Sequence, residues 1–303
     1  MNIITKNQTP ASRIILGWMR MAKCSAEELE QLVEASLQAG INFFDHADIY
    51  GKTESERLFG EVLKKHPKYR DQMIVQTKCG IRPGFYDNSC AHIIASVDAS
   101  LKRLQTGWLD VLLLHRPDAL MDGDEIGKAF NQLKKEGKVR YFGVSNMNTG
   151  QMEYLQSRLE EPLLFNQLQF SLVHSSMIDA GIHVNMKTDF GIDRDNQILY
   201  HCMKNRITIQ AWSVLQASWE EGTFLDHPSY PLLNEVLERL AGHYQVTKSA
   251  VALNWILRHP AGMQAIIGTT KTEHINDLAQ ATTFELTRPE WYELYQSVGK
   301  KLP

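Results

Sequence analysis

The sequence predicts an α/β protein of the (β/α)8, or TIM barrel, class, forming one domain over residues 1–303. Short apolar runs alternate with amphipathic helical stretches along the whole chain, which is typical of parallel strands joined by helical crossovers. Eight apolar runs qualify as strands: Ile14–Leu16, Ile41–Phe44, Met73–Thr77, Val111–Leu114, Val139–Val144, Leu164–Leu168, Ile207–Ala211 and Ala265–Ile267. Eight parallel strands favour a closed barrel, and an open doubly wound sheet is the alternative. No G-x-G-x-x-G pattern follows any run, so a Rossmann-type nucleotide site is not supported.

The first helical unit illustrates the pattern. Ser25 and Glu28 have the spacing of a capping box, and apolar residues then recur on one helical face. Gly40 ends this predicted helix, and Ile41–Phe44 follows as a buried strand. The fourth predicted helix repeats the scheme and ends at Gly137.

Composition excludes several classes of function. Of the 303 residues, 43% are hydrophobic and 22% are charged, and the formal net charge of −3 argues against a nucleic-acid binder. The apolar runs are too short to cross a bilayer, and Met1–Arg13 lacks the apolar core of a signal peptide. The four cysteines are scattered, as in reduced cytoplasmic proteins. We therefore expect a cytoplasmic monomer or small homo-oligomer that acts on a small molecule.

One segment departs from the repeating pattern. Phe170–Asn196 is long and polar, and it follows the sixth predicted strand. Loops of this length in a compact domain are usually lids or binding loops, so we expect it to cover a cofactor or substrate.

Polar, titratable residues gather where the predicted strands end. Asp45 and Tyr50 follow the second strand, Lys78 the third and His115 the fourth. The carboxyl ends of barrel strands form one rim, where the active sites of such barrels lie. Each residue alone has a structural explanation, but together at consecutive strand ends they indicate a site.

These four side chains suit proton donation. A free tyrosine has a pKa of about 10, and a neighbouring ammonium lowers that value. Lys78 can supply the ammonium if Asp45 holds it, and His115 can orient a substrate oxygen. Tyr50 would then protonate a developing alkoxide, which requires a hydride donor brought in as a cofactor.

A metal site is the competing use of this rim. His46, Asp48 and His115 could nominally ligate a divalent cation, as in a metal-dependent hydrolase. Their spacing matches no standard zinc pattern, and Lys78 would repel a cation. We therefore predict no metal.

The residues around this rim resemble the aldo-keto reductase family, and a bacterial oxidoreductase subgroup within it, over almost the whole chain. Gly40–Gly51 resembles the family's G-x-N-x-x-D-x-A-x-x-Y-G signature, with Asp45 and Tyr50 at its catalytic positions. The family lysine falls on Lys78 and the family histidine on His115, in the same order and spacing. The resemblance implies that all four residues are catalytic and that the protein reduces aldehydes or ketones.

The resemblance also implies a set of cofactor-binding positions. Ser145, Asn146 and Gln167 match the ligands of the nicotinamide carboxamide, and Trp212 replaces the tyrosine that usually stacks on the ring. The remaining implied positions are Met19, Arg20, Ser213, Leu215, Gly268, Thr269, Lys271 and His274.

Two residues weaken the implied binding of the adenosine end. His274 stands where many members place an arginine on the 2′-phosphate, and Leu278 replaces an asparagine associated with adenine. Lys271 still offers positive charge, so we expect NADPH as the cofactor, with NADH possible.

The substrate is less defined by the sequence. Pocket candidates are Trp18, His46, Phe85, Tyr86 and Met121, which would favour an apolar or aromatic carbonyl compound. The alternative function is a nicotinamide-binding regulatory barrel with slow turnover.

Overall fold

The computed structural model describes residues 3–302, and eight parallel strands in it close into a barrel. The strands are β1 (Ile14–Gly17), β2 (Phe43–Asp45), β3 (Ile74–Cys79), β4 (Leu109–Leu114), β5 (Val139–Ser145), β6 (Leu163–Gln169), β7 (Thr208–Trp212) and β8 (Gln264–Ile267). Each strand pairs with its neighbours in sequence, and β1 closes the barrel by pairing with β8. The predicted (β/α)8 barrel is therefore confirmed, and the open sheet is excluded.

Helices connect the strands around the outside of the barrel. They are α1 (Ala26–Gln38), α2 (Glu54–Lys65), α3 (Cys90–Leu104), α4 (Gly123–Lys135), α5 (Thr149–Gln156), α6 (Ser176–Ile182), α7 (Ile198–Asn205), α8 (Pro231–Tyr244), α9 (Lys248–Leu257), α10 (Glu273–Ala279) and α11 (Arg288–Gln296). Short 3-10 turns span Met21–Lys23, Pro67–Gln72, Asp189–Gly191 and Gln280–Thr282. Two small antiparallel hairpins pair Ile81–Arg82 with Phe85–Tyr86 and Gln216–Ser218 with Gly222–Thr223. No helix within residues 3–302 combines the length and apolarity needed to cross a membrane.

The predicted capping box begins α1. The Ser25 hydroxyl accepts from the Glu28 backbone N–H at 3.2 Å, and the Glu28 carboxylate accepts from the Ser25 backbone N–H at 2.7 Å. These bonds satisfy two of the donors that a helix start leaves free. Gly40 follows the helix at φ 76°, a conformation that favours glycine, and turns the chain into β2.

The core has two layers because strand side chains alternate between the two faces of the sheet. The larger layer lies between strands and helices, and the smaller one fills the barrel interior with residues such as Ile15, Phe43 and Val111. Ile3 packs against this interior layer. At the level of Asp45 and Lys78, the interior side chains become polar. The barrel is thus apolar at depth and polar where its strands end.

The Phe170–Asn196 segment contains regular structure that the sequence did not reveal. It includes α6 and the Asp189–Gly191 turn. Lys300, near the end of the chain, anchors α6: its ammonium lies 3.2 Å from Asp179 Oδ2 and also donates to the Ser175 hydroxyl. All three side chains are buried, so the segment is fixed to the body of the protein.

Candidate active site

The barrel brings the four predicted catalytic residues together. Asp45 is the last residue of β2, and Tyr50 lies in the turn that follows. Lys78 lies near the end of β3, and His115 comes directly after β4. Because β2, β3 and β4 are adjacent and parallel, their ends meet at one rim.

Lys78 and Asp45 form a buried ion pair. The Lys78 ammonium lies 2.7 Å from Asp45 Oδ1 and 2.7 Å from Oδ2, and it donates to the His46 carbonyl oxygen at 2.8 Å. All three ammonium protons therefore have acceptors. Burial would lower the pKa of Lys78, but the attraction of Asp45 and Tyr50 outweighs it and raises the pKa.

Tyr50 lies beside this ion pair and faces His115. Lys78 Nζ is 4.9 Å from the centre of the Tyr50 ring, and the Tyr50 and His115 rings are 5.9 Å apart at 82°. Tyr50 and His115 are therefore neighbours at the rim, with their rings nearly perpendicular.

The expected lowering of the Tyr50 pKa is wrong in its net direction. Burial raises the pKa of Tyr50 above its ordinary value, and the opposing effect of Lys78 is smaller. The sequence indicated the neighbouring lysine but not the burial of Tyr50 in the folded protein. Tyr50 is therefore a neutral phenol at neutral pH, with a proton to give.

His115 is neutral for a similar reason. Burial, then the positive charges of Lys78 and Arg116, hold the pKa of His115 well below its usual range. Its Nδ1 atom is buried without a hydrogen-bond partner in the described chain. His115 can consequently donate a hydrogen bond from Nε2, but it does not carry a proton to transfer at neutral pH.

The three predicted carboxamide ligands and Trp212 form a continuous hydrogen-bonded chain. Asn146 Nδ2 donates to the Ser145 hydroxyl at 2.8 Å, and Trp212 Nε1 donates to Asn146 Oδ1 at 3.2 Å. The Ser145 hydroxyl donates to the Gln167 carbonyl oxygen at 3.1 Å. Asn146 has φ 56°, a left-handed conformation that places its side chain over the end of β5. These residues hold one another at the rim before any ligand binds.

The other predicted cofactor positions lie along the ends of β1, β7 and β8. Ser213 follows β7 at φ 55° and Leu215 is half-buried, while Gly268 and Thr269 follow β8. The Thr269 hydroxyl lies 3.3 Å from His274 Nδ1 and accepts from the Lys271 backbone N–H at 3.0 Å. Met19, Arg20, Lys271 and His274 are exposed, so their side chains are accessible to a ligand.

The sequence model of the Aldo/keto reductase family matches residues 13–298. The chain belongs to this family. It is an oxidoreductase that works with a nicotinamide cofactor, as the family does.

Full-length relatives agree with this assignment. The uncharacterized oxidoreductase YcsN of Bacillus subtilis is 35% identical over 308 residues, covering 96% of each chain. A 6-dehydroglucose reductase of Agrobacterium fabrum is 34% identical over 314 residues, covering 99% of each chain. Among solved structures, an aldo-keto reductase from Klebsiella pneumoniae in complex with NADPH aligns with TM-score 0.75 at 24% identity, covering 97% of this chain and 93% of that chain.

Leu278 has a structural role in this family member. It is 5% exposed and packs in the core between strands and helices. The side chain is therefore buried and contributes to packing.

The predicted substrate pocket is wrong in part. Trp18 and His46 are fully buried, with ring centres 5.3 Å apart, so neither lines an open cavity. Phe85 and Tyr86 are exposed in a small hairpin, and Met121 packs against the core. The direction of each side chain decides whether it lines a cavity. The position of a residue at a strand end does not reveal that direction.

A cavity of about 510 Å³ lies instead under the Phe170–Asn196 segment. Its lining includes Arg116, which directly follows the predicted catalytic residue His115, and the predicted nicotinamide ligands Asn146 and Trp212. Its remaining lining is Met147, Asn148, Gln151, Leu168, Gln169, His174, Ser176, Met177, Arg194, Asp195 and Ile198. Most of these side chains are polar, which disagrees with the apolar pocket expected from the sequence.

A glutamine network inside the barrel escaped the sequence analysis. Gln76 Nε2 donates to Asp45 Oδ1 at 2.6 Å and to Gln210 Oε1 at 2.9 Å. Gln167 Nε2 donates to the same two atoms at 3.1 Å and 3.2 Å. Asp45 is therefore hydrogen-bonded directly to a predicted cofactor ligand. A glutamine within an otherwise apolar strand was the available signal, since such a residue must find partners when buried.

The described residues at this rim do not form a group of metal ligands. Across the described part of the chain, no group of three or more His, Cys, Asp or Glu side chains is placed to hold an ion. His46 packs against Phe59 at 4.5 Å between ring centres, and both of its ring nitrogens are buried.

Proposed function

We propose that the protein reduces an aldehyde or ketone to an alcohol, with NADPH as hydride donor and Tyr50 as proton donor. The observation that carries this proposal is the placement of Tyr50 and His115 beside the buried Lys78–Asp45 pair, at the same rim as Trp212 and Asn146. A hydride acceptor held at this rim would lie within reach of both groups.

The rim fits a nicotinamide. A carboxamide has one acceptor oxygen and two N–H donors, and Ser145, Asn146 and Gln167 offer matching hydroxyl and amide groups. The Gln167 amide nitrogen is engaged with Asp45 and Gln210, which leaves Oε1 without a donor from residues 3–302. The half-buried Trp212 ring offers a face for stacking.

A nicotinamide held by Ser145, Asn146, Gln167 and Trp212 would supply the hydride that reduces the carbonyl carbon. As the C=O bond becomes a single bond, negative charge develops on the oxygen, and Tyr50 donates its phenolic proton to it. Lys78 stabilises the phenolate that remains, since its ammonium stays charged through the ion pair with Asp45. Solvent then returns a proton to Tyr50.

His115 orients the carbonyl in this proposal. A neutral imidazole with Nδ1 buried favours the tautomer that carries its hydrogen on Nε2, because that nitrogen can find an acceptor. Nε2–H and the Tyr50 hydroxyl together hold the substrate oxygen. Such preorganised donors stabilise the developing charge without rearrangement.

NADPH is preferred over NADH on two grounds. Lys271 is exposed beside Thr269 and His274, where positive charge would favour a 2′-phosphate. The similar structure from Klebsiella pneumoniae was solved with NADPH.

A polar carbonyl substrate fits the cavity better than an apolar one. Two relatives, at 34% and 32% identity, are named 6-dehydroglucose reductases, which places an oxidised sugar among the substrates of similar proteins. Amide and hydroxyl side chains in the cavity suit a molecule with several hydroxyl groups.

The test is to titrate purified protein with NADPH and NADH by fluorescence, then to screen carbonyl compounds for oxidation of the tighter cofactor. We expect tighter binding of NADPH, an advantage that Lys271→Gln reduces, and turnover of polar aldehydes or ketones. Cofactor binding without turnover of any carbonyl compound would contradict the proposal and favour the regulatory alternative.

A further inference from the structure

The cavity under the Phe170–Asn196 segment carries an excess of positive charge in a protein whose formal net charge is −3. Arg116 and Arg194 both line it, and Asp195 is the only carboxylate among its lining residues. His174 also lines it, but burial and then Lys300 lower the pKa of His174, so this ring is neutral at neutral pH. The lining therefore has two fixed positive charges against one negative charge.

Arg116 has no anionic partner. The residue is half-buried and its carbonyl oxygen accepts from Asn88, but within residues 3–302 its guanidinium forms neither an ion pair nor a hydrogen bond. The other partly buried arginines behave differently: Arg70 pairs with Asp110 at 2.7 Å and Arg103 with Glu56 at 2.7 Å. The Arg116 guanidinium instead keeps contact with solvent, since none of its nitrogens is among the buried side-chain atoms that lack a partner. Its five N–H donors are therefore free to bind an anion that enters the cavity.

Arg116 connects the cavity to the predicted catalytic residues. It lines the cavity and directly follows His115 in the chain. Its positive charge also lowers the pKa of Tyr50 and of His115, although burial is the larger influence on both. In the proposed reaction, a substrate with its carbonyl oxygen at Tyr50 and the rest of the molecule in the cavity would pass close to Arg116.

Arg194 belongs to the Phe170–Asn196 segment and lines the same cavity. Its Nη1 atom reaches only backbone oxygens, those of Ile192 at 3.2 Å and Asp189 at 3.4 Å. Asp195 does not neutralise it, since the Asp195 carboxylate accepts from the Ile198 backbone N–H at 3.2 Å at the start of α7. Two guanidiniums thus line one cavity, and neither forms an ion pair with a residue of the described chain.

We infer that the preferred substrate is a carbonyl compound bearing a carboxylate, which Arg116 binds and Arg194 assists. Guanidinium and carboxylate make short, charge-assisted and often bidentate hydrogen bonds. This inference rests on the proposed reduction of carbonyl compounds and names the substrate class for it.

The test compares acids with their neutral amides of nearly equal size. The pairs are D-glucuronate with D-glucuronamide, and 4-carboxybenzaldehyde with 4-formylbenzamide, each assayed for NADPH oxidation at pH 7.5. We expect kcat/KM to favour the acid of each pair by about tenfold or more. Equal values for acid and amide would overturn the inference while leaving the proposed function intact. No turnover of any of the four compounds would count against the proposed function itself.

Variants test whether Arg116 and Arg194 cause the preference for the acid over the amide. Arg116→Gln should reduce the acid-to-amide ratio of kcat/KM to near one, and Arg194→Gln should reduce it less. Arg288→Gln is the matched control, because it removes an exposed arginine that does not line the cavity, and its ratio should equal that of the wild type.

Two outcomes in the variants would overturn the inference. An equal loss for acid and amide in Arg116→Gln would show that Arg116 acts on Tyr50 and not on substrate charge. A weaker Kd for NADPH in Arg116→Gln and Arg194→Gln, with the acid-to-amide ratio unchanged, would assign both guanidiniums to cofactor phosphates. The wild-type ratio alone tests the inference if a variant fails to fold.

Discussion

The Lys78 ammonium lies 2.7 Å from both carboxylate oxygens of Asp45, and neither side chain is accessible to solvent to any useful extent. The third ammonium proton is donated to the carbonyl oxygen of His46, the residue that directly follows Asp45 at the end of β2. Gln76 and Gln167 donate to the same carboxylate. A charge fixed in this way has little freedom to move away from Tyr50.

Breaking this ion pair should destabilise the fold. Lys78→Met leaves the Asp45 carboxylate buried without its cation, and we expect the free energy of unfolding to fall by about 3–5 kcal/mol. Urea denaturation followed by circular dichroism measures this change. The double variant Lys78→Met/Asp45→Asn removes the unpaired charge and should regain part of the stability without regaining activity. A single variant as stable as the wild type would show that water reaches the pair.

The pH dependence of reduction should reflect a neutral tyrosine and a neutral histidine. Burial raises the pKa of Tyr50, and burial with Lys78 and Arg116 lowers the pKa of His115 well below its usual range. Both groups then keep one protonation state across neutral pH, so kcat/KM should be flat there. It should fall only above the ordinary tyrosine pKa of about 10, as Tyr50 loses its proton. Initial rates of NADPH oxidation, with Kd for NADPH measured at each pH, test this expectation. A limb centred near pH 7 would contradict it.

Acid should destabilise the protein partly through His46. Burial, and then Lys78, lower the pKa of His46 well below its usual range, and both ring nitrogens lack partners in the described chain. Below the ordinary histidine pKa of about 6.5 the unfolded chain binds a proton that the folded one does not, so stability is full above that pH and is lost as pH falls.

His46→Leu removes this group at similar volume. The difference in free energy of unfolding between pH 7 and pH 5 should shrink by about 1–2 kcal/mol relative to the wild type. Urea denaturation of both proteins at the two pH values measures it. An unchanged difference would mean that His46 is protonated in the folded state.

The fold was largely predictable because its core is built from short apolar runs. All eight predicted strands exist, and the boundaries moved by a few residues at most. β4 begins at Leu109 although Asp110 interrupts its apolar pattern. That carboxylate is buried between Arg70 at 2.7 Å and Arg140 at 3.0 Å, partners that are distant in sequence. Likewise α6, in the Phe170–Asn196 segment, is anchored by the ion pair between Asp179 and Lys300, which are more than a hundred residues apart in the sequence.

The sequence predicted the parts of the site that a local motif defines. It did not predict the features that depend on burial or on the direction of a side chain. Tyr50, Lys78 and His115 lie together as their strand-end positions implied. The sign of the Tyr50 pKa shift and the burial of Trp18 depend on atoms from other parts of the chain. Arg116 stands beside His115 in the sequence, but its place in the lining of the cavity depends on the folded structure.

The account depends most directly on the phenolic proton of Tyr50. Tyr50→Phe keeps the ring that faces His115 and Lys78 but removes the proton donor. We expect kcat for carbonyl reduction to fall by about 10²–10⁴-fold, the usual contribution of a positioned general acid, with Kd for NADPH within about twofold of the wild type. Reduction by Tyr50→Phe at the wild-type rate, with the same cofactor affinity, would contradict the assignment of Tyr50 as the acid.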